Sequence, residues 1–262
     1  MAQLAQGFRE KPRWTASDLY TAPTIPGAVS VVIPAYNASH TLTDAVESCF
    51  SQTCTPDQVV IVDDGSGDMT PQVISDLCGD YPVYIRTTRH STNLGVSAAR
   101  NHGARIASGE FLIYLDADDV APLQRVEQVL AEFADGAELV YGQKEYFEGN
   151  DWSKRTKRFH VEPPTVRNIF GSGCGGSTVS TRRSLHLDVG IWWDEVMCVA
   201  EDADILIACM AKERRVTCSY NVYSWMRTHP DSLTHRGDWG KMRAYMAEKY
   251  DGWLRGFFGA GH

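Results

Sequence analysis

The sequence lacks long apolar runs. No stretch of its 262 residues approaches the roughly 20 consecutive apolar residues that a membrane-spanning helix needs. Residues 1–26 also lack the apolar core that a secretory signal peptide contains. The sequence therefore predicts a cytoplasmic protein without a transmembrane segment, and peripheral association with a membrane stays open.

Paired cysteine motifs are missing as well. The chain has seven cysteines, an odd number, and none of them forms a Cys-x-x-Cys pair. This pattern argues against a disulfide framework and against a zinc cluster. We expect free thiols in a reducing compartment.

Basic residues are in the minority. The chain carries 25 Lys and Arg against 33 Asp and Glu, which gives a formal net charge of −8. Proteins that bind nucleic acids usually present a basic surface, so we expect no nucleic-acid partner. An acidic protein that binds an anionic ligand needs a metal ion or local cations at the site.

From residue 29 onward the sequence does contain a regular alternation of apolar runs and helical patterns. Strands are predicted at 29–33, 59–62, 83–86, 111–115, 139–146, 177–181 and 220–225, and helices near 39–50, 70–78, 96–107, 122–133, 203–211 and 241–258. Residues 151–164 are polar and basic and predict a loop. Alternating strands and helices indicate an α/β protein with a mostly parallel sheet flanked by helices.

Polar motifs follow three of the predicted strands. Residues 34–37, 63–66 and 116–119 each stand at the carboxyl end of a strand. Ligands of such sheets bind outside the carboxyl ends of the strands. The three motifs are therefore expected to meet at one site.

Asp116, Asp118 and Asp119 form the densest of these motifs. Three carboxylates within four residues repel one another unless a cation gathers them. Their oxygen atoms suit Mg²⁺ or Mn²⁺, which also bridge diphosphate oxygens. The alternative is a solvated turn that caps the next helix.

Two further motifs have both a functional and a structural interpretation. One carboxylate of Asp63 and Asp64 is placed to accept hydrogen bonds from a base or ribose, although the segment also reads as a simple turn. Arg100 is placed either to neutralise a donor phosphate and hold the acidic turns, or to form a structural salt bridge.

The later part of the chain adds two pairs. Glu201 and Asp202 precede a helical pattern, where a carboxylate either caps the helix or acts as a general base. Arg227 and His229 follow a predicted strand and are spaced to reach one anionic ligand, with His229 as a candidate metal ligand.

Taken together, these segments resemble the family 2 glycosyltransferases, which have the GT-A fold. The resemblance rests on residues 31–37, 62–66, 93–101 and 115–119, in this order and spacing. Beyond residue 120 it thins to residues 175–176, 201–202 and 227–234.

The resemblance implies roles for these residues. Pro34, Tyr36 and Asp64 would line the nucleoside pocket, with Tyr36 near the base, and Asp202 would be the catalytic base. The donor-binding set would be Pro34, Ala35, Tyr36, Asn37, Asp63, Asp64, Arg100, Asp116, Ala117 and Asp118. Mn²⁺ or Mg²⁺ would be held by Asp118 first, with Asp116 and His229, and Asp119 is the alternative ligand. The acceptor-side residues would be Gly175, Gly176, Glu201 and Arg227.

The same resemblance implies an inverting transferase. A sugar would pass from a nucleotide-diphosphate donor, with UDP as the family-level expectation, to the hydroxyl of a glycan, a lipid-linked acceptor or a small molecule. The chain lacks the Gln-x-x-Arg-Trp motif and the transmembrane helices of polymerising relatives, so a single addition is expected. The expected organisation is an arm at 1–26, a donor half at 27–122, an acceptor half at 123–238 and a C-terminal helix at 239–262.

Two alternatives compete with this interpretation. A sugar nucleotidyltransferase should carry a glycine-rich phosphate loop after the first strand, where this chain has residues 34–37 instead. A non-catalytic module that binds sugar nucleotides would need no base at Asp202.

Overall fold

Eight strands form one sheet in the computed structural model, which describes residues 21–165, 168–169, 174–228 and 238–254. The strands are β1 (Ile25–Ala35), β2 (Gln58–Asp63), β3 (Ile85–Arg89), β4 (Gly109–Tyr114), β5 (Leu139–Glu148), β6 (Lys157–Phe159), β7 (Ser180–Arg182) and β8 (Val216–Thr228). The helices are α1 (Leu42–Phe50), α2 (Thr70–Asp80), α3 (Val96–Ile106), α4 (Arg125–Ala134), α5 (Ser184–Leu187), α6 (Glu201–Ala211) and α7 (Trp239–Lys249).

The first half of the sheet is parallel. Strands β3, β2, β1 and β4 lie side by side in that order, and each pair is parallel. Parallel neighbours need crossover connections, and α1, α2 and α3 supply them. The prediction of a mostly parallel α/β sheet is confirmed.

Side chains of these strands alternate between two cores. Val32, Val60 and Val62 point into the core that contains α3. Their neighbours Ile33 and Ile61 point to the opposite face, toward α1, α2 and α4. Because successive side chains of a strand face opposite ways, an almost continuous apolar run can bury both faces of a central strand.

The strand register brings the polar motifs to one edge. Ala35, the last residue of β1, pairs with Asp63, the last residue of β2. On the other side of β1, Val32 pairs with Tyr114, the last residue of β4. The segments after all three strands therefore leave the sheet side by side.

The second half of the sheet is mixed. Strand β7 runs antiparallel to β4 and to β5, while β5 pairs in parallel with β8 and antiparallel with β6. An isolated bridge between Val120 and Trp225 also ties the segment after β4 to β8. The two halves therefore share one continuous sheet.

Several local predictions differ from the structure. The predicted loop at 151–164 contains β6, because Lys157–Phe159 pairs with residues 144–146 of β5. The strand predicted at 177–181 begins instead as a 3₁₀ turn at Gly176–Thr178 before β7. The helix expected from Pro122 starts at Arg125, and the four-residue helix α5 was not predicted at all.

All seven cysteines are free, and three of them are buried. Within the described ranges, no helix is both long enough and apolar enough to cross a bilayer.

Candidate active site

The acidic turn, residues 116–119, follows β4 directly. Leu115 extends the pairing with β1 through a 3.1 Å hydrogen bond from its N–H to the carbonyl of Val32. Asp116 and Asp118 are partly exposed, whereas Ala117 is buried. The backbone N–H of Asp116 donates to the hydroxyl of Ser177 at 2.7 Å, which fixes the start of the turn.

Asp119 faces a different direction from its neighbours. Its side chain is buried, and it accepts hydrogen bonds from the Arg227 N–H at 3.0 Å and the Ser224 hydroxyl at 3.2 Å. Burial, and then the charges of Asp118 and Asp116, raise the pKa of Asp119 well above its usual range. Asp119 therefore links the acidic turn to β8, and this use of its oxygens makes it a poorer metal ligand than its neighbours.

Arg100 connects the acidic turn to the start of α6. One guanidinium nitrogen donates to Asp116 at 2.7 Å and the other to Glu201 at 2.9 Å. The guanidinium also lies 4.5 Å from the ring centre of Trp193. Burial by itself lowers the pKa of Arg100, but the charges of Asp116 and Glu201 outweigh burial and raise it. The guanidinium is therefore a permanent buried cation between the two acidic segments.

Gly176 makes the position of Arg100 possible. A Cβ atom built on Gly176 would lie 2.0 Å from a guanidinium nitrogen of Arg100. Only a residue without a side chain lets the chain pass this close.

Arg125 is a second buried cation behind the turn and is not among the predicted site residues. It donates to the carbonyl of Tyr114 at 2.7 Å, and its Nε and Nη1 are buried without a hydrogen-bond partner among the described residues. Burial lowers the pKa of Arg125 to about 10, while charges that include Asp119 and Asp116 oppose that shift. An arginine in an apolar helical pattern gives no signal in the sequence, so only the packing reveals it.

Asp63 and Asn37 tie the segments after β1 and β2 together. Asp63 accepts from the Ser66 N–H at 2.8 Å and pairs with Arg89 at 3.2 Å. Asn37 donates from its backbone to the Ser66 hydroxyl at 2.9 Å and accepts from the Gly67 N–H at 2.9 Å. These contacts form a rigid pair of turns.

The other residues predicted near the nucleoside lie beside these turns. Pro34 and Ala35 are buried at the end of β1, and Tyr36 projects from the turn with 51% of its surface exposed. A groove of about 360 Å³ also opens between α2 and β3, lined in part by Asp63 and Arg89.

Asp64 is more deeply engaged than its sequence position suggests. Its carboxylate is buried and accepts from the backbone N–H groups of Leu94 and Gly95, each at 2.8 Å, and from His90 at 2.8 Å. A carboxylate has about four acceptor positions, so these three contacts use most of its capacity. Asp64 thus fixes the start of α3, which in turn carries Arg100.

His90 and His102 extend this network inward. The carboxylate of Asp64 can only accept, so Nδ1 of His90 donates to it, and Nε2 of His90 lies 2.9 Å from Nδ1 of His102. Both histidines are buried. Neither was singled out in the sequence, because isolated histidines carry no spacing signal.

Asp202 lies in the first turn of α6, next to Glu201. It is 6% exposed and accepts a short hydrogen bond from the backbone N–H of Gly175. Burial, and then the negative charge of Asp202, raise the pKa of the Cys174 thiol well above its usual range. The predicted base, its neighbour Glu201 and the predicted acceptor-side glycines therefore meet in one place.

Arg227 has a different environment from the one expected. Its guanidinium donates to the carbonyl of Asp118 at 3.0 Å, to Asp44 at 2.9 Å and to Asn150 at 2.8 Å, and it also contacts the carbonyl of Gly149. All three guanidinium nitrogens are therefore used by the protein, and Arg227 braces the acidic turn from β8. His229, the residue predicted to act with it, lies outside the described residues.

The donor atoms of the turn suit a divalent metal. In the described ranges, no group of three or more His, Cys, Asp or Glu side chains is arranged to hold a metal alone. Asp116 and Asp118 nevertheless offer two partly exposed carboxylates on one turn. Mg²⁺ commonly takes one or two carboxylates and completes its coordination with substrate phosphates and water.

The comparisons with known proteins define first the fold and then the family. The structure superposes on TarS of S. aureus in complex with UDP-GlcNAc with a TM-score of 0.65, at 22% identity over 80% of this chain and 61% of that one. It also superposes on the mannosyltransferase PcManGT of Pyrobaculum calidifontis in complex with GDP-Man and Mn²⁺, with a TM-score of 0.61, at 17% identity over 82% of this chain and 62% of that one. The fold is thus GT-A.

The family model described as "Glycosyl transferase family 2" matches residues 30–188, which is more than half of the chain. The protein belongs to this family. A curated relative, the UDP-Glc:alpha-D-GlcNAc-diphosphoundecaprenol beta-1,3-glucosyltransferase WfgD of Escherichia coli, is 29% identical over 123 residues, 47% of each protein. The matched segments cover less than half the length of the curated relatives.

Proposed function

We propose that the protein transfers a sugar from a UDP-sugar to an acceptor hydroxyl, in a single addition, with inversion at the anomeric carbon and with the help of a divalent metal. The observation that carries this proposal is the Arg100 bridge, which joins Asp116 of the acidic turn to Glu201. Asp202 is the next residue. The bridge holds the donor-side acids and the candidate base in one rigid arrangement.

On the donor side, Asp116 and Asp118 would hold Mn²⁺ or Mg²⁺. A divalent ion bound there would neutralise charge that grows on the leaving diphosphate. Arg100 keeps Asp116 in place, and the turns at Asp63 and Asn37 supply the surface for the nucleoside, with Tyr36 exposed beside them.

On the acceptor side, Asp202 would take the proton from the attacking hydroxyl. One of its oxygens is bound by the Gly175 N–H, which orients the carboxylate and leaves acceptor positions for the substrate. The displacement is a single in-line step, so the anomeric centre inverts and no covalent sugar–enzyme intermediate forms.

The substrate class draws on the relatives. WfgD is named for a UDP-Glc donor and a lipid-linked acceptor, and TarS was solved with UDP-GlcNAc. PcManGT was solved with GDP-Man instead, so GDP is the nucleotide to compare with UDP. The acceptor is a glycan, a lipid-linked molecule or a small molecule. A cytoplasmic location agrees with seven free thiols.

Donor binding and turnover test this proposal directly. We expect UDP with Mn²⁺ to raise the melting temperature, because a ligand at about 100 times its Kd stabilises the native state by about 2.7 kcal/mol. GDP with Mn²⁺ is the control for specificity toward the nucleobase. We also expect EDTA to abolish release of UDP from a UDP-sugar, and added Mn²⁺ or Mg²⁺ to restore it. Full turnover in metal-free buffer would contradict the role of the acidic turn.

A further inference from the structure

Lys144 is a buried lysine in β5. Only 7% of its surface is exposed. Lysine is rarely buried to this degree unless it is paired. No carboxylate in the described ranges forms an ion pair with its ammonium group. The adjacent Glu145 pairs with Arg155 and Arg158.

Aromatic rings give the ammonium group partial compensation. Nζ lies 4.8 Å from the ring centre of Phe159 and 6.0 Å from that of Tyr146. Such contacts recover part of the hydration that burial removes, but an ammonium group has three donors, and rings do not satisfy them as oxygen acceptors do. The group is therefore prepared for an anionic partner.

The ammonium group lies beside Gly175, the residue whose N–H binds the candidate base. A Cβ built on Gly175 would be 3.2 Å from Nζ of Lys144, and the N–H of the same glycine donates to Asp202. Gly175 has a φ of +84°, a conformation that also favours glycine. The charges of Lys144 and Asp202 both act on the thiol of Cys174, in opposite directions. Lys144 of β5 therefore lies next to Gly175 on the acceptor side of the proposed site, while the acidic turn has Arg100 and Arg125 as its own cations.

We propose that Lys144 binds an anionic oxygen group, a phosphate or a carboxylate, on the acceptor, close to the hydroxyl that Asp202 would deprotonate. The inference rests on the proposed function, which assigns the acceptor to this side of the site. A charge-assisted hydrogen bond to the ammonium group positions the acceptor and selects charged acceptors over neutral ones. Lys144 is thus a positioning residue.

Three variants separate this role from a structural one. Lys144→Met keeps an unbranched side chain of similar length among aromatic neighbours and removes a charge that has no ion-pair partner in the part of the chain that the structure describes, so the free protein should melt at the same or a higher temperature. Lys144→Arg retains the charge and reports on binding if the Met variant does not fold. Lys157→Met alters an exposed lysine of β6 and is the matched control.

The probes are glucose 1-phosphate, glucuronate and the neutral methyl glucoside, titrated by calorimetry with the donor site filled by UDP and Mg²⁺. We expect at least one charged sugar to bind the parent protein, and Lys144→Met to weaken it at least about tenfold. Binding of UDP should be the same in both proteins, and Lys157→Met and Lys144→Arg should retain binding of the charged sugar. The two charged probes tell a phosphate from a carboxylate.

The inference is overturned if neither charged sugar binds more tightly than methyl glucoside, or if Lys144→Met leaves that binding unchanged. It is also overturned if the affinity for UDP falls as much as that for the charged sugar, since Lys144 would then serve the donor. A parent protein that does not bind UDP would instead contradict the proposed function.

Discussion

Asp202 combines a position and an environment suited to proton transfer. It lies in the first turn of α6, where the helix dipole favours a carboxylate. Its single backbone partner, the Gly175 N–H, fixes the orientation of the side chain without pairing it to a cation. Glu201 next to it is held by Arg100 instead. Glu201 is therefore tied to Arg100, whereas Asp202 is the acid that the proposed mechanism uses as its base.

At the residue scale, we expect Asp202→Asn to reduce sugar transfer at least about 10²-fold, the scale of general acid–base catalysis. The amide oxygen of asparagine can still accept the hydrogen bond from Gly175, so donor affinity should be unchanged. Initial rates and UDP binding measure the two effects. Asp188→Asn, at an exposed position after α5, is the control. Unchanged turnover would remove Asp202 from the mechanism.

At the element scale, α3 organises the site. The carboxylate of Asp64 accepts hydrogen bonds from the N–H groups of Leu94 and Gly95, the two residues just before α3. Arg100 and Asn101 on the helix then bind the segment that leads to α6, with Asn101 bonded to the backbone of Trp193 in both directions, at 2.9 and 3.0 Å. A displacement of α3 would therefore disturb the acidic turn and the candidate base together.

Gly176→Ala tests this coupling. The added methyl group would meet the Arg100 guanidinium, which is confined by Asp116 and Glu201, so we expect a loss of about 1–3 kcal/mol in the free energy of unfolding. Metal-dependent UDP binding should weaken as well, because Asp116 loses its partner. Urea unfolding and calorimetry measure these effects.

Gly79→Ala, where an added Cβ has no neighbour within 4 Å, should retain full stability and is the matched control. A Gly176→Ala protein as stable and as active as the parent would show that the close approach to Arg100 is not required.

At the scale of the whole molecule, His186 joins the two halves of the sheet. Its Nδ1 donates to the carbonyl of Ile191 at 2.7 Å, so Nε2 of the neutral ring accepts from Tyr114 at 2.7 Å and from Thr181 at 3.0 Å. Tyr114 ends β4 and Thr181 lies in β7. Protonation of the ring would place a buried positive charge at the junction between the parallel and the mixed parts, and Nε2 would then donate where it now accepts.

We therefore expect His186 to make the fold sensitive to acid. Burial lowers the pKa of His186 from 6.5 to about 4, so between these values the unfolded chain binds a proton that the folded chain does not. The contribution of neutral His186 to the free energy of unfolding is fully present above about pH 6.5 and is lost as the pH falls to about 4. It amounts to about 3 kcal/mol at 1.36 kcal/mol per pKa unit.

Urea unfolding from pH 7 to 4, carried out on the parent and on His186→Asn, measures this effect. The raised pKa values of Asp119 and Glu201 change the stability in the opposite direction, but they do so in both proteins, so the difference between the two proteins isolates His186. The variant should lose less stability on acidification. His40→Asn, at an exposed position, should behave as the parent does. Equal slopes for all three proteins would show that His186 does not titrate as described.

The sequence by itself determined the order of the elements in the donor half and the family. Apolar runs such as 59–62 and helical patterns such as 96–107 are local signals, since each depends on side chains only a few residues apart. The rule that ligands bind at the carboxyl ends of parallel strands then placed residues 34–37, 63–66 and 116–119 at one edge, and the register of β1, β2 and β4 agrees.

Only the tertiary structure decided which partner each charged group takes. Arg100 and Glu201 are 101 residues apart, and Arg227 and Asp44 are 183 apart, so no local pattern could pair them. The same holds for the burial of Lys144 and Arg125, which depends on strands and helices that the chain brings together from distant segments. Long-range packing sets the local dielectric constant and the available acceptors. These decide whether a charged side chain is paired within the protein or remains available to a ligand.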